Sequence, residues 1–203
     1  NDEEGLAVTV APSGDIFVAG YEFNSQLLVV RFSSEGAFIS KDSALGNAYY
    51  QDNIYVDIAS DSNGNIFTTA CTSNAIDMQT TVYKHDSSLY RTGSLVLGTT
   101  GVTYGPGLHI DSQDNIYLTG QTSDTLGDQA YGDVDVFLAK LQPDLSDVVW
   151  VTQFGTVTGD LAMGVTSDAS GNLYLTGATY GPLSAQQFVW GFDLFVSKLS
   201  PAG

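Results

Sequence analysis

One phrase recurs four times along this chain of 203 residues. Gly14-Asp15-Ile16-Phe17-Val18-Ala19-Gly20 returns as Gly64-Asn65-Ile66-Phe67-Thr68-Thr69-Ala70, as Asp114-Asn115-Ile116-Tyr117-Leu118-Thr119-Gly120 and as Gly171-Asn172-Leu173-Tyr174-Leu175-Thr176-Gly177. The anchors at 15, 65, 115 and 172 are spaced by 50, 50 and 57 residues. A period of this length marks a repeat architecture, in which one unit cannot bury its apolar surface alone and neighbours stack to do so. Chains built this way bind or brace more often than they catalyse.

Each repeat carries the same order of strand signals. An apolar-rich strand comes first: Leu6–Val10, Ile54–Ile58, Leu108–Ile110 and Met163–Val165. A tight turn of Gly, Asn and Asp follows at 12–15, 61–65, 111–115 and 168–172, built from the residues that tolerate positive φ. The phrase above supplies the second strand. A third strand covers Leu28–Phe32, Thr81–Lys84, Val136–Leu141 and Leu194–Leu199 and carries Arg31, Lys84, Lys140 and Lys198 at matching places. These are four of the six bases in the chain, and their recurrence reads as architecture: an aliphatic stem along a blade edge with its charge on an Asp or a backbone carbonyl. A fourth strand closes the unit at Ala37–Lys41, Tyr90–Val96 and Val148–Phe154, and the last repeat has none before Gly203.

Four short antiparallel strands per unit predict an all-β β-propeller of about four blades, with repeats at 4–47, 48–100, 101–159 and 160–203. Fifteen strands rather than sixteen leave one blade edge open, since residues 1–5 are few and acidic for an extra strand. The expectation is therefore a segment of a larger propeller, or a unit that self-assembles through the open edge.

The pattern Gly-Val-x-x-Asp-x-x-Gly-Asn-x-Tyr-x-Thr-Gly at 164–177 resembles the bacterial SBBP repeat. So do Asp135, Phe137, Lys140 and Leu141, their counterparts Asp193, Phe195, Lys198 and Leu199, and the group Trp150, Phe154 and Gly155. The first two repeats depart from the pattern: Ala70 replaces Gly, and no Asp stands before Phe32. The resemblance implies a propeller, often of about seven blades, with an extracellular or cell-surface scaffold or adhesive role. It carries no defined catalytic site.

Charge narrows the partners. With 23 acids against 6 bases the net charge is −17, which argues against nucleic acid and anionic membrane because both need a basic face. Nineteen of the acids are Asp, as turn closure favours. No apolar run is long enough for a transmembrane helix. The single cysteine, Cys71, reads as a small buried hydrophobe. His85, in a Lys-His-Asp turn, and His109 form no pair at metal-ligand spacing, and no Gly-x-Ser-x-Gly elbow occurs.

Two kinds of candidate site remain. Asp61, Asn63, Asn65, Asp111, Asp114 and Asp168, with Asn115 and Asn172, offer oxygens for calcium, although capping of the hairpin turns explains their recurrence with fewer ligands. The acidic loop with Asp124, Asp128, Asp133 and Asp135 is a weaker calcium candidate and reads as a solvated loop. The connections 121–134 and 178–192 are long and hold Tyr131, Tyr180, Phe188 and Trp190, aromatics suited to stacking on a surface glycan or filling a pocket of another protein. Their alternative is local core.

Overall fold

The computed structural model describes residues 3–22, 26–47, 56–73, 78–98, 101–183 and 191–203. The turns after each first strand fold as the sequence dictates. Asp61 N–H donates to the Asn65 carbonyl at 3.1 Å and Gly64 N–H to the Asp61 carbonyl at 3.1 Å, and the pair recurs at 111–115 and 168–172. Glycine at 14, 64 and 171 takes φ of +80° to +88°, where a Cβ is disfavoured.

The described residues form fifteen strands, in four antiparallel sheets. Blade 1 is β1 (Glu3–Val10), β2 (Ile16–Glu22), β3 (Gln26–Phe32) and β4 (Phe38–Asn47). Blade 2 is β5 (Ile58–Ser60), β6 (Ile66–Ser73), β7 (Met78–His85) and β8 (Arg91–Leu97). Blade 3 is β9 (Thr103–Ile110), β10 (Ile116–Thr122), β11 (Asp135–Leu141) and β12 (Val148–Phe154). Blade 4 has three strands, β13 (Asp160–Ser167), β14 (Leu173–Thr179) and β15 (Asp193–Leu199). The chain is an all-β propeller of four blades, and its strand order is the one expected from the repeats.

Two expected elements differ, and a third lies partly outside the described residues. β1 includes Glu3 to Gly5, because Lys41 on β4 draws in Glu3 (2.8 Å) and Glu22 (3.1 Å). Only the end of the expected strand at 54–58 is seen, since residues 51–55 lie outside the described ones. His85 is not in a turn. It is the last residue of β7, paired with Ile66, and wholly buried.

The core lies between blades. Phe17, Ala19, Leu27 and Val29 of blade 1 pack on Ile58, Ile66, Ala70 and Tyr83 of blade 2. Phe67 and Val82 meet Leu108, Ile116 and Leu118 in the next interface. Tyr117, Val136 and Leu138 meet Ala162, Leu173 and Leu175 in the third. β13 packs on β9, β10 and β11, and among the described residues no strand of blade 4 makes a substantial contact with blade 1. The four blades thus share three described core clusters, one between each successive pair.

Burial in the first interface holds the His85 imidazole below its ordinary value of 6.5, and partial burial does the same at His109. The unfolded chain then binds protons that the folded chain refuses. The associated stability is complete above about pH 6.5 and is lost as pH falls through the lowered folded-state values. Urea midpoints should therefore drop between about pH 7.5 and about pH 5, and His85→Leu should flatten that dependence. An unchanged slope in the variant would show that His85 does not contribute.

Candidate functional site

The recurring turn is a closed hydrogen-bond box. Asp61 Oδ1 accepts from Asn63 N–H (3.0 Å) and Asn65 N–H (2.8 Å), while Oδ2 accepts from Asn65 Nδ2 (2.6 Å). Asp111 repeats this with Gln113 N–H, Asn115 N–H and Asn115 Nδ2, and adds the Tyr117 hydroxyl at 3.3 Å. Asp168 repeats it with Ser170 N–H, Asn172 N–H, Asn172 Nδ2 and the Tyr174 hydroxyl at 3.0 Å. The Asn172 amide leads the donors that hold the Asp168 carboxyl down to about 2. At Asp111 burial pushes upward, but the Asn115, Gln113 and Tyr117 donors outweigh it and the carboxyl stays below its usual range. Asp is the right length for this box, because its side chain reaches backbone donors two and four residues on.

Asp114 stands where the other repeats have glycine, and it keeps their backbone shape with φ of +62°. Its carboxylate crosses to blade 2, accepting from Ser62 Oγ (2.6 Å) and Ser62 N–H (2.8 Å), and these donors lower its pKa. Gly171 has no such reach, and a polar hollow of about 180 Å³ opens there between Ser112, Lys140 and Pro201. The metal candidates are thus distributed over three blade turns. Among the described residues no group of three or more His, Cys, Asp or Glu comes together to hold a metal ion.

The four matching bases do more than line a blade edge. Each charge sits over the aromatic ring opposite it on the second strand: Arg31 over Phe17, Lys84 over Phe67, Lys140 over Tyr117 and Lys198 over Tyr174, at 5.8, 5.3, 5.6 and 5.2 Å. Such contacts are worth about 0.5–2 kcal/mol. Two of them continue into the next blade. Arg31 donates to the Ser87 carbonyl (2.6 Å) as well as to Asp15 in its own blade, and Lys84 donates to the Pro143 carbonyl (2.9 Å).

The loop at 121–134 is anchored rather than merely solvated. Gln153 Oε1 accepts from Leu126 N–H and Gly127 N–H, and Gln153 Nε2 donates to the Asp124 carbonyl and to Asp135 Oδ2. Tyr131 N–H donates to Asp135 at 2.7 Å, while the Tyr131 ring stays exposed. Asp160, at the start of β13, accepts from Thr156 N–H. Gly155 lies between the two acids, and a Cβ there would stand 2.4 Å from Asp135 Oδ1 and 2.9 Å from Asp160 Oδ2. Asp135 and Asp160 are both sealed from solvent. Sequence reading passed over Gln153 and Asp160; the available signal was that the third repeat alone places Gln before Phe154-Gly155 and Asp five residues after that Gly.

The second aromatic loop is partly described. Phe188 and Trp190 lie outside the described residues. Tyr180 packs beside Gly159, and its ring meets that of Phe192 with centroids 3.7 Å apart, both rings keeping open surface. Phe192, Met163 and Leu194 border an open hollow of about 420 Å³ on blade 4.

No family model matches the sequence, and no curated protein does. Solved structures do. A protein of unknown function from Bacteroides caccae matches at 12% identity over 87% of this chain and 57% of its own, with a TM-score of 0.56. A thermostable family-43 glycoside hydrolase matches at 12% over 99% and 70%, with a TM-score of 0.57. A xylan β-1,4-xylosidase from Bacillus halodurans C-125 matches at 12% over 98% and 41%, with a TM-score of 0.56. At these identities the likeness is one of fold. The chain spans little more than half of the first of these structures.

The closed box gives a direct expectation. Asp61→Ala leaves three donors without their acceptor and should cost about 1–3 kcal/mol in urea unfolding. A turn-closing role makes that loss equal in calcium and in chelator, and a loss confined to calcium would assign the carboxylate to a metal instead.

Proposed function

We propose that this chain is a non-catalytic β-propeller module of the extracellular space or cell surface, serving structure and contact between proteins. The observation that carries the reading is exposed apolar sheet surface on blades 1 and 4. Val8 and Val10 stand exposed on blade 1, and Leu194 and Val196 on blade 4. Contiguous exposed apolar surface is the physical signature of an interaction site. The extracellular setting follows the SBBP-like motifs at 135–141, 164–177 and 193–199.

The repeated polar chemistry supports the same reading. The turn acids close turns, and the bases bind rings and neighbouring blades. The glycoside hydrolases among the similar structures lend the fold. Glycoside hydrolysis needs two carboxylates that flank a bound sugar. Asp135 and Asp160, which flank Gly155, are one close pair of carboxylates among the described residues, and both are sealed from solvent. Aryl xylosides and arabinofuranosides should show no turnover above buffer with the purified chain. Turnover that disappears in Asp160→Asn would overturn the non-catalytic reading.

A second reading has one specific observation behind it. The Tyr180–Phe192 ring pair is exposed beside an open hollow, as a stacking platform for a surface glycan would be. Calorimetric titration with xylo- and arabino-oligosaccharides tests it. Binding that Tyr180→Ala removes, with the melting curve unchanged, would establish this reading, and no heat of binding would end it.

A further inference from the structure

We propose that the polar hollow between blades 3 and 4 binds a carboxylate group, in the way that the neighbouring interface already holds one of the chain's own. Such a site stands beside the contact role above and does not depend on it. The recurring turns at 11–15, 61–65, 111–115 and 168–172 supply the comparison. The second position of one turn meets the fourth position of the turn in the next blade. Between blades 2 and 3 these are Ser62 and Asp114. Ser62 N–H donates to Asp114 Oδ1 at 2.8 Å and Ser62 Oγ to Asp114 Oδ2 at 2.6 Å, so each oxygen of one carboxylate has one donor. Between blades 1 and 2 the two positions hold Pro12 and Gly64, one without an N–H and the other without a side chain. Donor and acceptor are missing together there. Between blades 3 and 4 they hold Ser112 and Gly171. Here the serine donors remain and the carboxylate does not. Among the described residues the Ser112 N–H and hydroxyl have no hydrogen-bond partner.

The base of blade 3 is left over at the same place. In the first two interfaces this base donates to a turn carbonyl of the following blade, Arg31 to Ser87 and Lys84 to Pro143. The matching carbonyl for Lys140 belongs to Pro201, and no such bond is made. The Lys140 ammonium rests over the Tyr117 ring, 5.6 Å from its centroid, and among the described residues it has no hydrogen bond or ion pair. Ser112, Lys140, Gly171 and Pro201 all line the hollow of about 180 Å³. One cation and two neutral donors therefore border a space that contains no acceptor of theirs.

Asp111 and Asp168 also line the hollow, but their oxygens are engaged by the donors of their own boxes. Asp114 shows that a further carboxylate is tolerated in such surroundings: the two Ser62 donors hold it below its usual range, against the charge of Asp111. Two donors on one serine suit the two oxygens of a planar group, and a singly charged anion meets less repulsion from the box acids than a phosphate or sulfate does. The ligand class is thus a monocarboxylate, either a small free one or the Asp or Glu side chain of another protein.

Amide NMR reads the site directly. Sodium acetate is titrated into the labelled chain at constant ionic strength, with chloride as the balancing anion. The Ser112 amide should shift and saturate in the millimolar range, while the Ser62 amide, already held by Asp114, stays still. Lys140→Met should weaken binding about tenfold, the scale of a charge-assisted hydrogen bond. Gly171→Asp should abolish it by supplying the carboxylate from within. The turn has room for that change: Asp114 takes φ of +62° where Gly171 has +80°, and a Cβ at 171 meets only the Pro201 ring, at 3.4 and 3.6 Å. A second titration uses aspartate blocked at both ends. Saturation by the blocked aspartate assigns the site to a side chain of another protein, and saturation by acetate alone assigns it to a small free carboxylate. No saturable shift at Ser112 with either ligand would overturn the site, as would undiminished binding in a folded Gly171→Asp chain. Should Gly171→Asp fail to fold, Lys140→Met decides, and an unchanged acetate affinity there counts against the proposal.

Discussion

A small twisted sheet has two faces, and when both are apolar only another sheet can hide them. That constraint organises this molecule. In the interior blades, β10 and β11 are buried along almost their whole length, so their sequences read as near-continuous apolar and Thr runs instead of alternating. In blade 4 the same kind of strand alternates. β15 buries Phe195 toward blade 3 and exposes Leu194 and Val196 on its far side. The residues differ little between β11 and β15; what differs is whether a neighbour is present.

Polar groups then fix how the blades meet without forming much of the core. Each Asp box closes its turn within one repeat and presents the turn at a set height on the blade. Each base spans two levels, over a ring in its own blade and, for Arg31 and Lys84, on a carbonyl in the next. A base placed this way keeps its charge partly solvated while its stem covers the aromatic face. The longer spacing between the last two anchors fits the same scheme, since its extra residues fall in the connection after β10 and leave the strand register intact.

The strands and their order were legible because they follow from local period and turn chemistry, both written within ten residues. Contacts between blades were harder to read, because they join residues about fifty positions apart. The cation–ring pairs are an example. Lys140 and Tyr117 face each other only once the strand register is fixed. Asp114 left a clearer trace: an Asp at a position held elsewhere by glycine retains an unfavourable backbone shape, and the structure supplies the reason in Ser62 of the preceding blade. His85 was misplaced because a charged tripeptide looks like a turn, while its burial is decided by blade 1 packing over it. The aromatic loop was legible only in part, with Tyr180 and Phe192 described and Trp190 and Phe188 outside the described residues.

A net charge of −17 bears on how such a module associates. Many of the acids stand in turns, at the rims of the blades, as Asp61, Asp86, Asp111, Asp144 and Asp168 do. The exposed strand positions of blades 1 and 4 include Val8, Val10, Leu194 and Val196, together with Lys198 and the Lys41 ammonium held by Glu3 and Glu22. Repulsion between copies therefore acts at long range from the rims and is screened by salt over about 8–10 Å. Burial of the Val and Leu faces acts at contact and is insensitive to that screening. The same charge pattern discourages random aggregation of a chain with exposed apolar side chains, and that protection weakens as ionic strength rises.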